Sequence, residues 1–189
     1  FQLSRKTSMP TIFTHALSGW ILSKGLFKDM PKRFWLLSIL LPLMPDADVI
    51  AFRFGIPYEH VLGHRGITHS IFFAICVGIA VSFLAFRNSG FSMGKLCLLA
   101  LWFSLITASH GILDAMTSGG KGVALLAPFD NSRYFFDFRP IRVSPIRIEV
   151  FLGKRGLLTL WSELRWVILP LSIFSGVMYA LLNKKRPSR

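Results

Sequence analysis

Histidine and aspartate side chains occur in four short polar segments, each attached to an apolar stretch of the sequence. These segments are Thr14-His15, Pro45-Asp46-Ala47-Asp48, the run from His60 to His69, and the run from His110 to Asp114. The whole chain has only nine acidic residues, so aspartates beside apolar stretches stand out. Burying an ionisable group at membrane depth is costly, and a metal ion or charged partner normally compensates it. The sequence therefore predicts a metal centre at the ends of membrane helices.

The two histidine-rich segments have spacings that suit metal ligands. His110 and Asp114 are four residues apart, so a helix presents both on one face, which is a familiar arrangement for zinc. His64 and His69 flank a bend that Gly66 permits, which makes both candidate ligands. The alternatives are a local hydrogen-bonded pair for His110, a surface loop position for His64 and a solvated loop position for His60.

The remaining carboxylates and the first histidine are assigned by their surroundings. Asp46 and Asp48 are two apart, so an extended segment would point both to one side, where one could bind metal and the other orient a histidine or act as the catalytic base. The alternative is an exposed turn. Glu163 is a further candidate for a late ligand or general base. His15 alone would be a core histidine, and only the helix topology makes it a ligand.

Three arginines are candidates for binding an anionic substrate group, because guanidinium groups make bidentate contacts to phosphate. They are Arg65, Arg139 and Arg142. The equally weighted alternative is that these side chains contact lipid head groups.

The composition is that of an integral membrane protein. Hydrophobic residues make up 52% and charged residues 16%, and the mean hydropathy is +0.53. A soluble domain has about 25% charged residues. The net charge of +13 has no nucleic-acid-binding motif beside it, so it indicates basic loops against anionic head groups rather than nucleic acid.

Five apolar stretches predict an all-α membrane bundle of about four to five helices, the first one short. A span needs roughly 20 residues, which three stretches approach, whereas one is interrupted near Pro45 and one has only 13 residues. They are, in that order, Ser70–Phe86, Lys95–Leu113, Leu164–Leu182 (with a kink expected at Pro170), Phe34–Phe52 and Thr11–Ser23.

Alternating spans place all the polar segments on one side of the membrane. Ten basic residues in the opposite turns and tail then favour an extracytoplasmic site, although seven more lie in the loop from Ser118 to Glu163. We expect that long irregular loop, with β-like alternation around residues 139–150, to cover the site. We expect residues 1–8 to be a disordered N-terminal extension, residues 9–183 a single domain and residues 184–189 a basic tail.

Several motifs resemble those of the YdjM-type, LexA-regulated, membrane-bound metal-dependent hydrolases. The matching features are Thr14-His15, Pro45-Asp46-Ala47-Asp48, the HRGITHS run from His64, the HGILDAMTSGG run from His110, and Ala127-Pro128-Phe129. The similarity covers the chain from Met9 to about Leu182. LexA control belongs to some members of that family and has no signature in this sequence.

That family is distantly similar to zinc-dependent phospholipase C and S1/P1-type nucleases, which are helical phosphoesterases with several zinc ions. This resemblance implies that the ligands are His15, Asp48, His69, His110 and Asp114, with Asp114 able to bridge two ions. No histidine follows His110, so we expect one or two zinc ions, with manganese or iron as alternatives.

The expected function is a metal-dependent hydrolase of the bacterial inner membrane. Its expected substrate is a lipid or another amphiphile with a phosphoester, cleaved by metal-activated water. The alternatives are a metal-dependent amidase or peptidase at the membrane, disfavoured by the missing HExxH motif, and a non-enzymatic transporter coupled to metal or protons. The sequence does not indicate the oligomeric state.

Overall fold

The computed structural model describes residues 10–144 and 148–184, and its secondary structure is helical. The elements are α1 (Ile12–Leu26), α2 (Lys32–Leu40), a 3-10 helix (Leu41–Phe54), a 3-10 turn (Ile67–His69), α3 (Ile71–Phe86), α4 (Met93–Ala115), α5 (Ile148–Phe151), α6 (Lys154–Glu163), a π turn (Leu164–Ile168) and α7 (Leu169–Lys184). The all-α class predicted from the sequence is confirmed.

Among the residues that the structure describes, three continuous helical stretches are long and apolar enough to cross a membrane. They are Lys32–Phe54, Met93–Ala115 and Lys154–Lys184, and the apolar helix α3 is shorter, with 16 residues. Helix α1 has 15 residues, which at ~1.5 Å each cover about 22 Å of a ~30 Å hydrocarbon core. The predicted bundle with a short first helix is therefore confirmed.

Helices α3 and α4 form an antiparallel hairpin whose close contact depends on a small residue. Gly78 lies against the backbone and hydroxyl of Ser104, where any Cβ would clash. Ser82 Oγ donates to the carbonyl of Leu96 at 2.7 Å. In the half of the bundle away from the polar segments, buried aromatic and aliphatic side chains fill the space between helices. They include Phe34, Phe86, Leu99, Trp102 and Phe103.

The span that carries the aspartates changes from α-helix to 3-10 helix at Leu41. The sequence predicts a break with irregular backbone near Pro45. Instead the helix continues through this proline, and Leu41–Phe54 form a 3-10 helix of 14 residues. Such long 3-10 runs are uncommon. Because Pro45 has no N–H, the carbonyl of Pro42 lacks its 3-10 partner three residues later. That carbonyl is therefore available to another side chain.

The last span contains a π turn immediately before Pro170. The backbone N–H of Leu169 donates to the carbonyl of Leu164, five residues earlier. Pro170 cannot donate to the helix, and the wider turn accommodates its ring. The irregularity predicted at Pro170 is therefore a π turn. Helix α7 packs on α1, where Ser175 Oγ donates to the carbonyl of Ile21 at 2.6 Å.

The long loop from Met116 to Ser144 has little regular structure in its described residues. Two isolated bridges pair Thr117 with Ile141 and Val123 with Tyr134. The β-like alternation predicted around residues 139–150 is wrong at its end, where α5 begins at Ile148. Residues 145–147 of this stretch, the extension predicted for residues 1–8 and tail residues 185–189 lie outside the described part of the chain.

Candidate metal centre

Two histidines and two aspartates from three segments bring their side chains together at one end of the bundle. One ligand atom from each of Asp46, His69, His110 and Asp114 lies within 4.8 Å of the others. Asp46 Oδ1 is 3.6 Å from His69 Nε2 and 3.3 Å from His110 Nε2. Asp114 Oδ2 is 3.5 Å from His69 Nε2. The convergence predicted from alternating spans is confirmed.

Hydrogen bonds on the far side of both imidazoles fix their orientation. His110 Nδ1 is 2.7 Å from the carbonyl oxygen of Pro42. His69 Nδ1 is 3.1 Å from Asp48 Oδ2 and 3.1 Å from Thr68 Oγ1. A carbonyl or carboxylate only accepts, so each Nδ1 carries the hydrogen, and in the neutral rings each Nε2 has a free lone pair. This is the usual arrangement of metal-bound histidines.

The two free lone pairs face each other, which a cation between them would stabilise. His69 Nε2 and His110 Nε2 are 3.1 Å apart, and neutral rings in this tautomer have no proton to share there. Two ligands at about 2.0–2.1 Å from a tetrahedral zinc ion are themselves about 3.3–3.4 Å apart. The distances among the four ligand atoms therefore fit an ion of this size.

The charge of the buried cluster also fits a divalent cation. The carboxylates of Asp46, Asp48 and Asp114 belong to this cluster, and the guanidinium of Arg65 is paired with one of them, since its Nε is 2.9 Å from Asp114 Oδ2. With neutral imidazoles the three carboxylates outnumber the guanidinium groups of Arg65 and of Arg133, which also acts on Asp48, so the cluster keeps a net negative charge. Burial alone would lower the pKa of His69, but Asp114, Asp46 and Asp48 raise that pKa well above its ordinary value. The surroundings of His69 thus favour a positive charge, a proton or a metal ion.

His15 lies directly beside this cluster, as the topology predicts. Its ring stacks on that of His110 with centroids 3.8 Å apart, and its Nε2 is 3.8 Å from Asp114 Oδ1. The ring is fully buried, and within residues 10–144 and 148–184 neither of its nitrogens has a hydrogen-bond partner. An unpartnered buried imidazole next to a set of ligand atoms supports a role as a further ligand.

Asp48 belongs to a different group of ligand atoms from Asp46. It accepts hydrogen bonds from several groups of the HRGITHS run. Its partners are His64 Nδ1 at 2.7 Å, the backbone N–H of Arg65 at 3.1 Å, Thr68 Oγ1 at 2.7 Å, and His69 Nδ1. Asp48, His64 and His69 form a second group with metal-ligand spacing. However, His69 Nδ1 would have to lose its proton to bind a second ion there. The contacts favour Asp48 and His64 as supports of the first group.

Arg65, predicted as a substrate ligand, is buried inside the protein. Besides Asp114, its guanidinium donates to the carbonyl of Gly119 at 3.2 Å. A Cβ on Gly120, where φ is +89°, would clash with this guanidinium. Arg65 itself has φ of +62°, an uncommon conformation for a residue with a side chain. The buried ion pair with Asp114 indicates a positioning role.

The other predicted site residues lie outside both groups of ligand atoms. Glu163 is buried and accepts hydrogen bonds from the Thr11 N–H at 2.5 Å, the Thr11 hydroxyl at 2.6 Å and the Thr14 hydroxyl at 2.7 Å. It therefore stabilises the first turn of α1, which carries His15. Arg139 lies 4.9 Å from the centroid of the Phe135 ring, and Arg142 is exposed.

The long loop packs over the segment that carries His64 and His69, as expected. The backbone N–H of Ala124 donates to the carbonyl of Arg65, and that of Ile71 donates to the carbonyl of Leu125, both at 3.0 Å. Arg133 donates to the carbonyl of His64 at 3.0 Å. Neither Arg133 nor Thr68 is a candidate from the sequence, since neither residue type nor spacing separates them from ordinary loop positions.

These features define a helical membrane protein with a candidate metal centre at one end of its bundle. Residues 9–186 match the family model described as YdjM inner membrane protein, and the chain belongs to this family. Inner membrane protein YbcI of Escherichia coli (strain K12) is 39% identical over 173 residues, which cover 90% of this chain and 98% of that relative. No solved structure matches the chain.

The family match confirms the resemblance that the motifs indicate and the inner membrane location. The three helices of membrane length agree with this location. The distant similarity to phospholipase C and S1/P1-type nucleases stays a prediction, as does the side of the membrane that the site faces.

Proposed function

We propose that this protein is a membrane-bound metal-dependent hydrolase that cleaves a phosphoester of a lipid or a similar amphiphile. The observation that supports it most is a set of four ligand atoms with one accessible edge. The side chains of His69, His110 and Asp114 are fully buried, whereas that of Asp46 is 18% exposed. A catalytic metal site keeps a position open for water or substrate, and a structural site closes it.

The chain would hold one zinc-type ion with Asp46, His69, His110 and Asp114, and His15 would be available as a fifth ligand. Such an ion would lower the pKa of a bound water and polarise the scissile group. Asp46 Oδ1 is buried and has no hydrogen-bond partner in the part of the chain that the structure describes, so the exposed part of this side chain lies away from the imidazoles. In this proposal, Asp46 receives the proton of the attacking water.

The surface next to Asp46 supports an amphiphilic substrate. On the same 3-10 helix Met44, Val49 and Ile50 are exposed apolar residues, and they face hydrocarbon or the head-group region in a membrane. A phosphoester on a lipid would reach Asp46 from this surface without leaving the membrane. Because Arg65 is bound to Asp114, binding of the phosphate is assigned to the metal ion rather than to this guanidinium.

A transporter with the same ligands is disfavoured by the packing of the bundle. Transport needs ligands with access from both membrane surfaces. Here the ligands lie at one end, and the other half is filled by side chains such as Phe34, Phe86 and Phe103, which are fully buried. An amidase would use the same ligands. The phosphoester hydrolase and the amidase are therefore distinguished by which substrate the protein cleaves.

The test uses the full chain purified in detergent, stripped of metal and reloaded with zinc. Its substrates are phospholipids and polyprenyl phosphates, a soluble aryl phosphate and an acyl-amide. We expect the protein to cleave a lipid phosphoester and to lose this activity when a chelator is added. In His110→Ala the activity should fall by well over the about 10–100-fold that is typical when a hydrogen-bond partner of a metal ligand is removed. The matched control is His60→Ala, an exposed histidine outside both groups.

Each alternative has a distinct outcome in this assay. Cleavage of the soluble phosphate alone contradicts the lipid substrate, and cleavage of the amide alone supports the amidase. Metal uptake into proteoliposomes without any turnover contradicts the enzyme and supports transport.

A further inference from the structure

An apolar groove lies on the surface of the bundle at the end away from the metal centre. This groove holds about 700 Å³ of space and is lined by the C-terminal end of α1, the turn that follows it, the first half of α4 and the C-terminal end of α7. Lys95 at its rim precedes Asp114 of the metal centre by nineteen residues of the same helix, or about 28 Å of helix rise. The groove and the metal centre therefore face opposite membrane surfaces.

The wall of the groove is apolar along one face of α4. Leu98, Leu101 and Leu105 follow one another at helical spacing and are 51%, 58% and 54% exposed. Behind them the rings of Trp102 and Phe27 contact each other with centroids 5.1 Å apart. Since this stretch lies within a candidate span, its surroundings are hydrocarbon, and a lipid acyl chain is the natural occupant.

The rim of the groove is basic. Lys28 contacts the side-chain oxygen of Asn183, and its ammonium lies 4.6 Å from the centroid of the Tyr179 ring. The Lys95 ammonium lies 3.9 Å from the centroid of the Phe91 ring. One acidic residue, Asp29, also lines the groove, so the rim has a net charge of one positive unit. Each of these two ammonium groups therefore lies beside an aromatic ring.

We propose that this groove binds one anionic phospholipid, with an acyl chain along the leucines of α4 and the phosphate between Lys28 and Lys95. Basic pockets between membrane helices bind anionic head groups in this way. A zwitterionic lipid would bring its own ammonium group to the lysines and bind more weakly. The inference is independent of the proposed hydrolase, because the groove shares no residue with the metal centre.

The experiment measures lipid retention by native mass spectrometry of the full chain. Delipidated protein is incubated with equal amounts of phosphatidylglycerol and phosphatidylcholine that have identical acyl chains. We expect phosphatidylglycerol adducts to dominate. Each lysine near a head group contributes about fivefold in affinity, so Lys28→Gln with Lys95→Gln should remove most of the preference. The matched control pair is Lys121→Gln with Lys154→Gln, exposed lysines outside the groove.

Two single substitutions test the charge and the acyl channel separately. Asp29→Asn, which suits the φ of +53° at this position, should increase the preference for phosphatidylglycerol. Leu101→Trp should fill the groove and reduce adducts of both lipids, whereas Leu84→Trp at a 76% exposed position on α3 should not.

Three results would overturn the inference. They are equal retention of the two lipids by the unmodified protein, an unchanged preference in the double lysine variant, and unchanged adducts in Leu101→Trp. A folded state in each variant is checked by its elution volume and helical ellipticity, so that loss of lipid is separated from loss of structure.

Discussion

Asp48 offers the sharpest test of how the centre is built, because the structure and the family resemblance give it different roles. Its two oxygens accept from the imidazoles of His64 and His69, from the hydroxyl of Thr68 and from the backbone of Arg65. In Asp48→Asn one of these oxygens becomes an NH₂ group that faces hydrogen-bond donors. The substitution preserves the volume of the side chain but removes its charge and its ability to orient the His69 ring.

The expected magnitude follows from the position of Asp48 behind the ligand. Loss of the outer partner of a metal-bound histidine weakens metal binding by about 10–100-fold, or about 1.4–2.8 kcal/mol. We expect Asp48→Asn to lie near the upper limit, about 100-fold, because Thr68 and His64 lose the same acceptor. His110→Ala removes a ligand atom and should abolish stoichiometric zinc binding.

The assay is a competition titration of metal-free protein with zinc and a chromogenic chelator, together with metal analysis of the purified protein. The controls are His60→Ala and Asp137→Asn, which change an exposed histidine and an exposed aspartate. If Asp48→Asn loses zinc as completely as His110→Ala, then Asp48 is itself a ligand, as the resemblance implies. If the unmodified protein binds two ions and Asp48→Asn binds one, the second group of ligand atoms also holds an ion. Unchanged affinity would refute the orienting role altogether.

Two further substitutions test the supports of the centre. Pro45→Ala restores a backbone N–H that can pair with the Pro42 carbonyl, so the His110 ring should lose its anchor and zinc affinity should fall by about 10–100-fold; unchanged affinity in the same titration would contradict this reasoning. Glu163→Gln disrupts the hydrogen bonds to the first turn of α1 and should lower the free energy of unfolding by about 1–3 kcal/mol in chemical denaturation, with the metal content retained. Loss of metal at unchanged stability would instead identify Glu163 as a ligand.

The gathering of the polar segments at one end follows from the sequence, whereas the division of roles among them does not. Alternating spans are enough to bring Asp46, His69, His110 and Asp114 to one membrane surface. The difference between Asp46 and Asp48 depends on backbone geometry. At about three residues per turn, a 3-10 helix turns residues two apart in different directions, and an extended segment would have aligned them.

The roles of Arg65 and Glu163 depend on contacts between parts of the chain that are distant in sequence. Arg65 is neutralised by Asp114 and held by the carbonyl of Gly119, 54 residues later. Neither residue type nor spacing shows that the guanidinium N–H groups of Arg65 already donate to groups of the protein itself. Glu163 has a carboxylate, so the sequence makes it a candidate base. Only its contacts with α1 show that it supports a helix instead.

The hydrogen bonds between Glu163 and the first turn of α1 also bear on how the protein is assembled in the membrane. The carboxylate that holds Thr14, next to His15, belongs to Glu163, which follows it by 149 residues. During synthesis the imidazole of His15 is therefore made long before Glu163, and its helix gains this anchor only when the span that begins at Lys154 is made. The support of His15 is therefore completed only after every segment with a candidate ligand has been made, and truncation before α6 should leave α1 without this anchor although all the candidate ligands are present.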